Sequence, residues 1–363
     1  MNTLPKRASS EAIAAYEGSA RSLYWDCWKG IAIIAVVIIH ACASFSDFPP
    51  ISANGISGLI IRQVVNFAVP LFFALSGYFA GNLAAGSPID YYVKRIGRVF
   101  WPYAVWTIAY LCIRALDEQV SILTVVKGFI FGTGIGIGYF VVVLLQFILL
   151  TPILLAIKTP SRHLGTMLTI MLMGLSFTYC FPALQPDHPI SSFPFYALPF
   201  FVWYPFYHLG LFISRYKSEG EIQEIPAHVI WIALAITAIF AFLESLYWLL
   251  DGGGKFATSQ LKASNFLYAI ALFVAAIRFE RSNSMLHRSR ALAWLGANSF
   301  AIYLIHMLLL APIARALSTV RSLFMAQPLY VLACATATLL ACSLIISCLR
   351  RLLPARAGRI ILG

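Results

Sequence analysis

The sequence predicts an all-α, polytopic membrane protein with about ten transmembrane helices and both termini in the cytoplasm. Its 363 residues are 60% hydrophobic and only 11% charged, whereas an average soluble domain is about 45–50% apolar and about 25% charged. The apolar residues form long runs, and the basic residues form short clusters between them. A soluble globule of this size could not cover that much apolar surface with polar groups. These observations exclude a soluble enzyme, a disordered chain and a secreted disulfide scaffold.

The apolar runs are long enough to be membrane-spanning helices, which need about 20 residues to cross about 30 Å of hydrocarbon. Strands are excluded because lipid offers no partner for open backbone groups and the runs are too long for barrel strands. Ten runs qualify: 29–46, 59–82, 99–116, 139–157, 164–181, 195–213, 228–250, 263–279, 292–311 and 328–349. The glycine-dense segment 128–138 is a poor helix and fits either an outer loop or a re-entrant segment.

The distribution of basic residues indicates the orientation. With the N-terminus inside, 19 of the 26 Lys and Arg residues fall on the cytoplasmic side and 7 fall on the outer side. This bias is the one that sets the topology of membrane proteins. The chain is then a cytoplasmic tail at 1–25, a membrane domain at 26–350 and a cytoplasmic tail at 351–363.

The net charge of +12 does not indicate a nucleic-acid partner, because the basic residues form no single patch. The seven cysteines include no CxxC pair, and most of them lie inside apolar runs. Free cysteines in such places behave as small hydrophobic residues. We therefore expect neither a disulfide framework nor a metal site.

The first span carries two ionisable residues on one face. Lys29 and His40 are eleven residues apart, about 16–17 Å of rise and nearly three helical turns. Lys29 would lie at the cytoplasmic mouth, within reach of Asp26, and His40 deep in the bilayer, where polar groups are functional candidates. This arrangement suits a long phosphorylated cofactor that enters from the cytoplasm. The alternative is a lysine that reaches the interface and a histidine bonded to a neighbouring helix.

The ninth span carries a second buried histidine. Ser299, Tyr303 and His306 follow Asn298 at i, i+4 and i+7 and therefore share one face. Both helices run outward, so His306 lies at about the depth of His40. The pattern predicts a cavity lined by both imidazoles, and the alternative is two unrelated hydrogen bonds between helices.

Other polar residues lie at the predicted cytoplasmic end of a span or inside a span. Arg95 and Arg98 belong to a basic cluster at the start of the third span, and arginine forks suit phosphate. The alternative is ordinary positive-inside anchoring. Ser76 follows a proline in the second span, where small residues permit close packing. Glu244 lies well inside the seventh span and either assists an acceptor or pairs with another helix.

Four motifs, taken in order, resemble the bacterial acyltransferase-3 family. They are Asp26…Lys29-Gly30-Ile31-Ala32…His40, Phe72-Phe73…Ser76-Gly77-Tyr78, Arg95…Arg98…Pro102-Tyr103 and Asn298-Ser299…Tyr303-Leu304-Ile305-His306. The resemblance covers essentially the whole chain. It implies about ten helices in the bacterial cytoplasmic (inner) membrane and the O-acylation of sugars and other cell-surface hydroxyls.

By this resemblance, His40 matches the essential histidine of the family, and Arg95 and Arg98 match the paired arginines that hold acyl-CoA. Lys29 stands where many members have arginine, which keeps the charge but loses the bidentate fork. The expected protein is an O-acyltransferase that uses acetyl-CoA and no metal. The expected acceptor is a sugar hydroxyl of an exopolysaccharide or of its lipid-linked precursor.

In the expected reaction, His40 acts as a general base or transiently carries the acyl group. His306 and Tyr303 orient His40 or steady the oxyanion, and Ser76, Asn298 and Glu244 are acceptor-side or supporting candidates. The alternative function is a proton-coupled transporter or flippase with a histidine-lined relay. Many transporters carry an inverted repeat or a matched pair of broken helices in their two halves. The sequence shows neither feature, which counts against that alternative.

Overall fold

The computed structural model describes residues 6–81, 88–216, 219–282 and 289–363, and it describes side chains from residue 23 onward, Pro88 excepted. All regular structure in these ranges is helical. The α-helices are α1 (Lys6–Ala41), α2 (Ala53–Val65), α3 (Ala68–Gly81), α4 (Pro88–Arg114), α5 (Ile122–Ile130), α6 (Tyr139–Ala156), α7 (Pro160–Leu184), α8 (Phe200–Tyr216), α9 (Glu219–Glu224), α10 (Ala227–Leu250), α11 (Gly254–Ala257), α12 (Ala263–Arg278), α13 (Arg290–Ala297), α14 (Ser299–Ser318), α15 (Arg321–Met325), α16 (Gln327–Leu352) and α17 (Ala355–Leu362). Short 3₁₀ helices cover Cys42–Asp47, Pro189–Ser191 and Phe195–Ala197.

The prediction of an all-α polytopic membrane protein is confirmed. In the described part of the chain, nine helical segments are long and apolar enough to cross a membrane, and α12 is a shorter apolar helix at the predicted eighth span. The segment 6–25, predicted as part of a tail, continues into the first span as one helix. Two basic residues counted on the cytoplasmic side, Lys217 and Arg288, lie outside the described residues.

The predicted second and ninth spans are each made of two helices. The second is interrupted between α2 and α3, where the Asn66 amide donates to the carbonyls of Thr258 and Ser259, each at 3.4 Å. The ninth is interrupted at Asn298, whose amide donates to the Trp294 carbonyl at 2.7 Å. The Asn298 bond to the carbonyl four residues earlier competes with regular helix, whereas the Asn66 bonds attach the α2–α3 interruption to a distant segment. Both interruptions lie close to the candidate site.

Glycines allow two pairs of helices to cross with their backbones in contact. Gly30 of α1 and Gly296 of α13 face each other, and a methyl group at Gly296 would overlap the Asp26 carbonyl. Gly77 of α3 and Gly210 of α8 make a second such crossing. Small residues are typical of close helix packing in membranes. The first crossing brings the start of α14 against the first span.

The glycine-dense segment 128–138 begins in the last residues of α5 and continues into the helix bundle. Gly132 and Gly136 have φ of +71° and +78°, a conformation that favours glycine. Ile137 is buried, and its carbonyl accepts a hydrogen bond from the Tyr303 hydroxyl. Of the two predicted alternatives, the re-entrant segment fits this placement, because the protein satisfies the backbone.

The end of the chain is folded onto the bundle. The segment 351–363, predicted as a tail, carries α17, which packs against α4. The Trp106 indole donates to the Ile361 carbonyl at 2.9 Å, and Leu362 is buried. Leu362 and Gly363 line a cavity between the helices. This segment is therefore part of the wall of the candidate site.

Candidate active site

Two cavities lie on opposite sides of a wall formed by Val36, Val69 and Tyr303, which line both. The Lys29 cavity has a volume of about 360 Å³, and the His40 cavity has a volume of about 200 Å³. The Lys29 cavity is also lined by Lys29, Phe72, Ser76, Arg98, Val99, Phe140, Leu144, Gly296, Ala297, Ser299, Phe300, Leu362 and Gly363. The His40 cavity is also lined by Ile39, His40, Arg62, Ile137, Tyr139, Phe193, Tyr196, Ala197, Trp203, Lys255, Thr258, Ser259, Gln260 and Leu261.

The two predicted histidines lie side by side, with their ring centroids 5.3 Å apart. The predicted cavity lined by both imidazoles is wrong for His306: His40 lines its cavity, whereas His306 is fully buried behind it and lines neither cavity. The Nδ1 atom of His306 lies 2.8 Å from the Tyr303 carbonyl and 3.2 Å from the Ile302 carbonyl. Because carbonyls only accept, this nitrogen carries the proton, and Nε2, which has no partner in the described structure, is the acceptor in a neutral ring. His306 can thus support His40 without touching a ligand.

The predicted cations divide between the Lys29 cavity and its surroundings. Lys29 and Arg98 line the cavity, and Lys29 pairs with Asp26 at 2.5 Å. The Lys29 ammonium also lies 5.7 Å from the centre of the Phe79 ring. Arg95 is not among the lining residues, and its guanidinium donates to the Phe79 carbonyl at 3.4 Å. The structure therefore brings two of the three predicted cations to one cavity and places the third close by.

Ser76 and Asn298, predicted as acceptor-side or supporting residues, have different positions. Ser76 lines the Lys29 cavity. Asn298 is buried and lines neither cavity, but it is the N-cap residue of α14, and the next residue, Ser299, lines the Lys29 cavity. Asn298 thus shapes the site through the helix interruption.

Glu244 lies away from both cavities. One carboxylate oxygen accepts a hydrogen bond from the Tyr179 hydroxyl, and the other accepts from the Ser264 backbone N–H at 2.9 Å. Both oxygens are engaged by α7 and α12. The interpretation of Glu244 as an acceptor-side group does not fit this placement, whereas the alternative of a helix-pairing residue does.

Arg62, one of the seven basic residues that the sequence places on the outer side, lines the His40 cavity, and no site role is predicted for it from the sequence. Its guanidinium donates to the Ile39 carbonyl at 2.9 Å and to the Thr258 carbonyl at 2.7 Å, and Ile39 is the residue that precedes His40 in the chain. A sequence signal was present: Arg62, Gln63 and Asn66 form a polar group inside an apolar run. Polar groups inside a span are expensive and call for a partner.

The segment 255–261, which supplies five lining residues of the His40 cavity, is held by buried polar side chains. The Lys262 ammonium is fully buried and donates to the Gln63 carboxamide oxygen at 2.9 Å, to the Ala257 carbonyl at 2.6 Å and to the Ser245 hydroxyl. Burial lowers the pKa of Lys262 to about 7, since desolvation disfavours the charged form. This network fixes one side of the cavity against α2 and α10.

Two of the proteins that are similar to this chain carry provisional functional names. One, from Staphylococcus aureus strain MRSA252, is named a poly-beta-1,6-N-acetyl-D-glucosamine export protein; it is 25% identical over 69% of this chain and 71% of its own length. The other, from Bacillus subtilis strain 168, is named membrane-bound acyltransferase YfiQ; it is 22% identical over 76% of this chain and 77% of its own length. No solved structure matches the chain significantly.

The sequence profile described as an acyltransferase domain matches residues 22–348. The match begins just before the first span and ends within α16, so it includes both histidines and every lining residue of the two cavities except Leu362 and Gly363. It covers most of the chain, and the relative from Bacillus subtilis carries an acyltransferase name. The chain therefore belongs to the acyltransferase-3 family of multi-pass membrane proteins.

Proposed function

We propose that this protein is an O-acyltransferase that moves an acetyl group from cytoplasmic acetyl-CoA to a sugar hydroxyl of an exopolysaccharide or its lipid-linked precursor. The observation that carries the proposal is the pair of cavities that meet at Val36, Val69 and Tyr303. One cavity has basic residues for the donor, and the other has His40 for the acceptor. Membership of the acyltransferase-3 family supports the chemistry.

The donor is proposed to enter the Lys29 cavity from the cytoplasm, with both termini of the chain on that side. Lys29 and Arg98 bind the CoA phosphates, since charge-assisted hydrogen bonds to phosphate are strong and Arg offers a fork. Arg95, next to this cavity, adds positive charge at the mouth. The apolar lining residues, among them Phe72 and Phe140, suit the acyl-bearing arm.

The acceptor is proposed to enter the His40 cavity. His40 takes the proton of the acceptor hydroxyl, and the hydroxyl oxygen attacks the thioester carbonyl. The C–S bond breaks, and the CoA thiolate takes up the proton as it leaves. His306 positions the His40 ring from behind. The Tyr303 hydroxyl already donates to the Ile137 carbonyl, which favours a positioning role for Tyr303 over an oxyanion contact.

The test is to incubate the purified protein with labelled acetyl-CoA and a polysaccharide acceptor. We expect CoA release and labelled polysaccharide. The name of the Staphylococcus aureus relative favours a second candidate, a proton-coupled transporter or flippase. That function predicts substrate movement in proteoliposomes driven by a proton gradient, with no consumption of acetyl-CoA, and this result would overturn the proposal.

Arg98 and Arg95 offer a matched pair of variants on one helix. We expect Arg98→Gln to raise the KM for acetyl-CoA about tenfold, because it removes a charge-assisted contact to phosphate. Arg95→Gln should raise the KM less, since Arg95 does not line the cavity. Steady-state kinetics at varied acetyl-CoA concentration would measure both. An unchanged KM in Arg98→Gln would remove Arg98 from the donor site, and an equal rise in both variants would contradict a direct phosphate contact that is particular to Arg98.

A further inference from the structure

We infer that the His40 cavity binds an acidic group, a carboxylate or a phosphate, carried by the acceptor molecule. This inference rests on the proposed function, because it describes the acceptor of the same site. The charge of the cavity carries it: Arg62 and Lys255 are among the lining residues, and no Asp or Glu from the described part of the chain is among them.

Arg62 has no counter-ion among the described residues. It forms no ion pair with any described carboxylate, and its hydrogen bonds go to the carbonyls of Ile39 and Thr258. These use two of five N–H donors, and the Nε donor is buried with no partner in the part of the chain that the structure describes. A cation in such a place is costly unless it is paired. An acidic ligand in the cavity would supply the missing charge.

The guanidinium is also held in place before a ligand arrives. Carbonyls from α1 and from the segment 255–261 fix it on two sides. That segment is itself held by the Asn66 and Asn265 amides, which donate to the Ser259 carbonyl at 3.4 and 2.6 Å. A fixed fork suits the two oxygens of a carboxylate or a phosphate. Lys255, exposed at the other end of the same segment, adds a second positive charge.

The acidic group is distinct from the phosphates of the donor. The basic residues assigned to the donor line the Lys29 cavity, and Val36, Val69 and Tyr303 separate that cavity from Arg62. The His40 cavity also has aromatic walls, among them Tyr139 and Trp203, and aromatic faces suit the apolar face of a sugar ring. An acidic sugar, or a sugar attached to a phosphate, matches both features.

Binding is to be measured on the purified full-length protein, with no acetyl-CoA present. The probes are glucuronate, which carries a carboxylate, glucose 1-phosphate, which carries a phosphate, and neutral glucose at matched ionic strength. We expect one or both acidic sugars to raise the melting temperature and glucose to leave it unchanged. Comparison of glucuronate with glucose 1-phosphate identifies whether the site binds a carboxylate, a phosphate or both. Equal binding of glucose would overturn the inference.

Variants locate the bound anion. We expect Arg62→Gln to weaken binding of the acidic sugar about tenfold or more, as loss of a partner from a buried charge pair does, and Arg62→Lys to restore part of it. Arg114→Gln removes the same charge from an exposed position beside Glu118 and should change nothing. Lys29→Gln tests the other cavity. If this variant no longer binds the acidic sugar while Arg62→Gln still binds it, the inference is overturned.

If Arg62→Gln does not fold, Lys255→Glu keeps the inference testable, because Lys255 is exposed. We expect this reversal of charge to weaken binding of the acidic sugar several-fold, and unchanged binding would count against the site. Binding of the acidic sugar can be measured whether or not the protein transfers acetyl groups. A protein that binds glucuronate but releases no CoA would contradict the proposed reaction only, and one that transfers acetyl groups without binding either acidic sugar would contradict this inference only.

Discussion

The variant His40→Ala is expected to lose acetyl transfer by about 10²–10⁴-fold, the range that a general base contributes, and to remain folded. His40 lines its cavity and is not fully buried, so the truncation enlarges an existing cavity and leaves helix packing intact. The measurement is the rate of CoA release from acetyl-CoA in the presence of acceptor. The melting temperature of the same preparation reports folding.

His228→Ala is the matched control, because His228 is exposed at the start of α10 and lines neither cavity. This variant should keep the transfer rate of the wild-type protein. A His40→Ala variant with full activity would end the assignment of the base. A variant that has lost its fold would be replaced by His40→Gln, which keeps a side chain of similar length in the cavity.

The second large effect is expected on stability, from Gly296→Ala. The added methyl group would overlap the Asp26 carbonyl and lie close to Gly30, so α1 and α13 would have to move apart. Overpacking of a close contact costs about 1–3 kcal/mol, and more where the backbone cannot shift. We expect a lower melting temperature and weaker binding of acetyl-CoA, because Gly296 also lines the Lys29 cavity.

Gly165→Ala provides the control for the same chemical change. Gly165 is an exposed residue of α7 with open space around the position of a methyl group, and alanine is the better helix former. Its melting temperature should be equal to or slightly above that of the wild-type protein. If Gly296→Ala melts at the wild-type temperature, the close crossing of α1 and α13 does not contribute to the fold as described.

Much of the candidate site was predictable from local periodicity. The spacing from Lys29 to His40 predicted a shared helix face, and both residues line cavities that meet at Val36. The pattern through Ser299, Tyr303 and His306 predicted a shared helix face, and the structure places its histidine beside His40. The predicted cavity lined by both imidazoles is not found, because His306 lines neither cavity. Such predictions succeed because the 3.6-residue period of a helix depends only on positions along one segment.

Contacts between distant segments were not predictable in this way. Nothing in the order of residues shows that Arg62 meets the Thr258 carbonyl, or that Leu362 lines the Lys29 cavity. The same holds for Glu244, whose partners come from α7 and α12. Each of these placements depends on which helices pack together, and one sequence carries no direct record of that packing.

Composition and helical periodicity are local properties, and they are enough to show that this chain is a helical membrane protein and which residues share a face of each span. The packing of the helices is needed to show that Lys29 and His40 open into two different cavities, that His306 lies behind His40, and that Arg62 lines the His40 cavity. The physical reason is that cavities form between helices, where the crossings at Gly30 and Gly296 and the broken helices at Asn66 and Asn298 set the spacing.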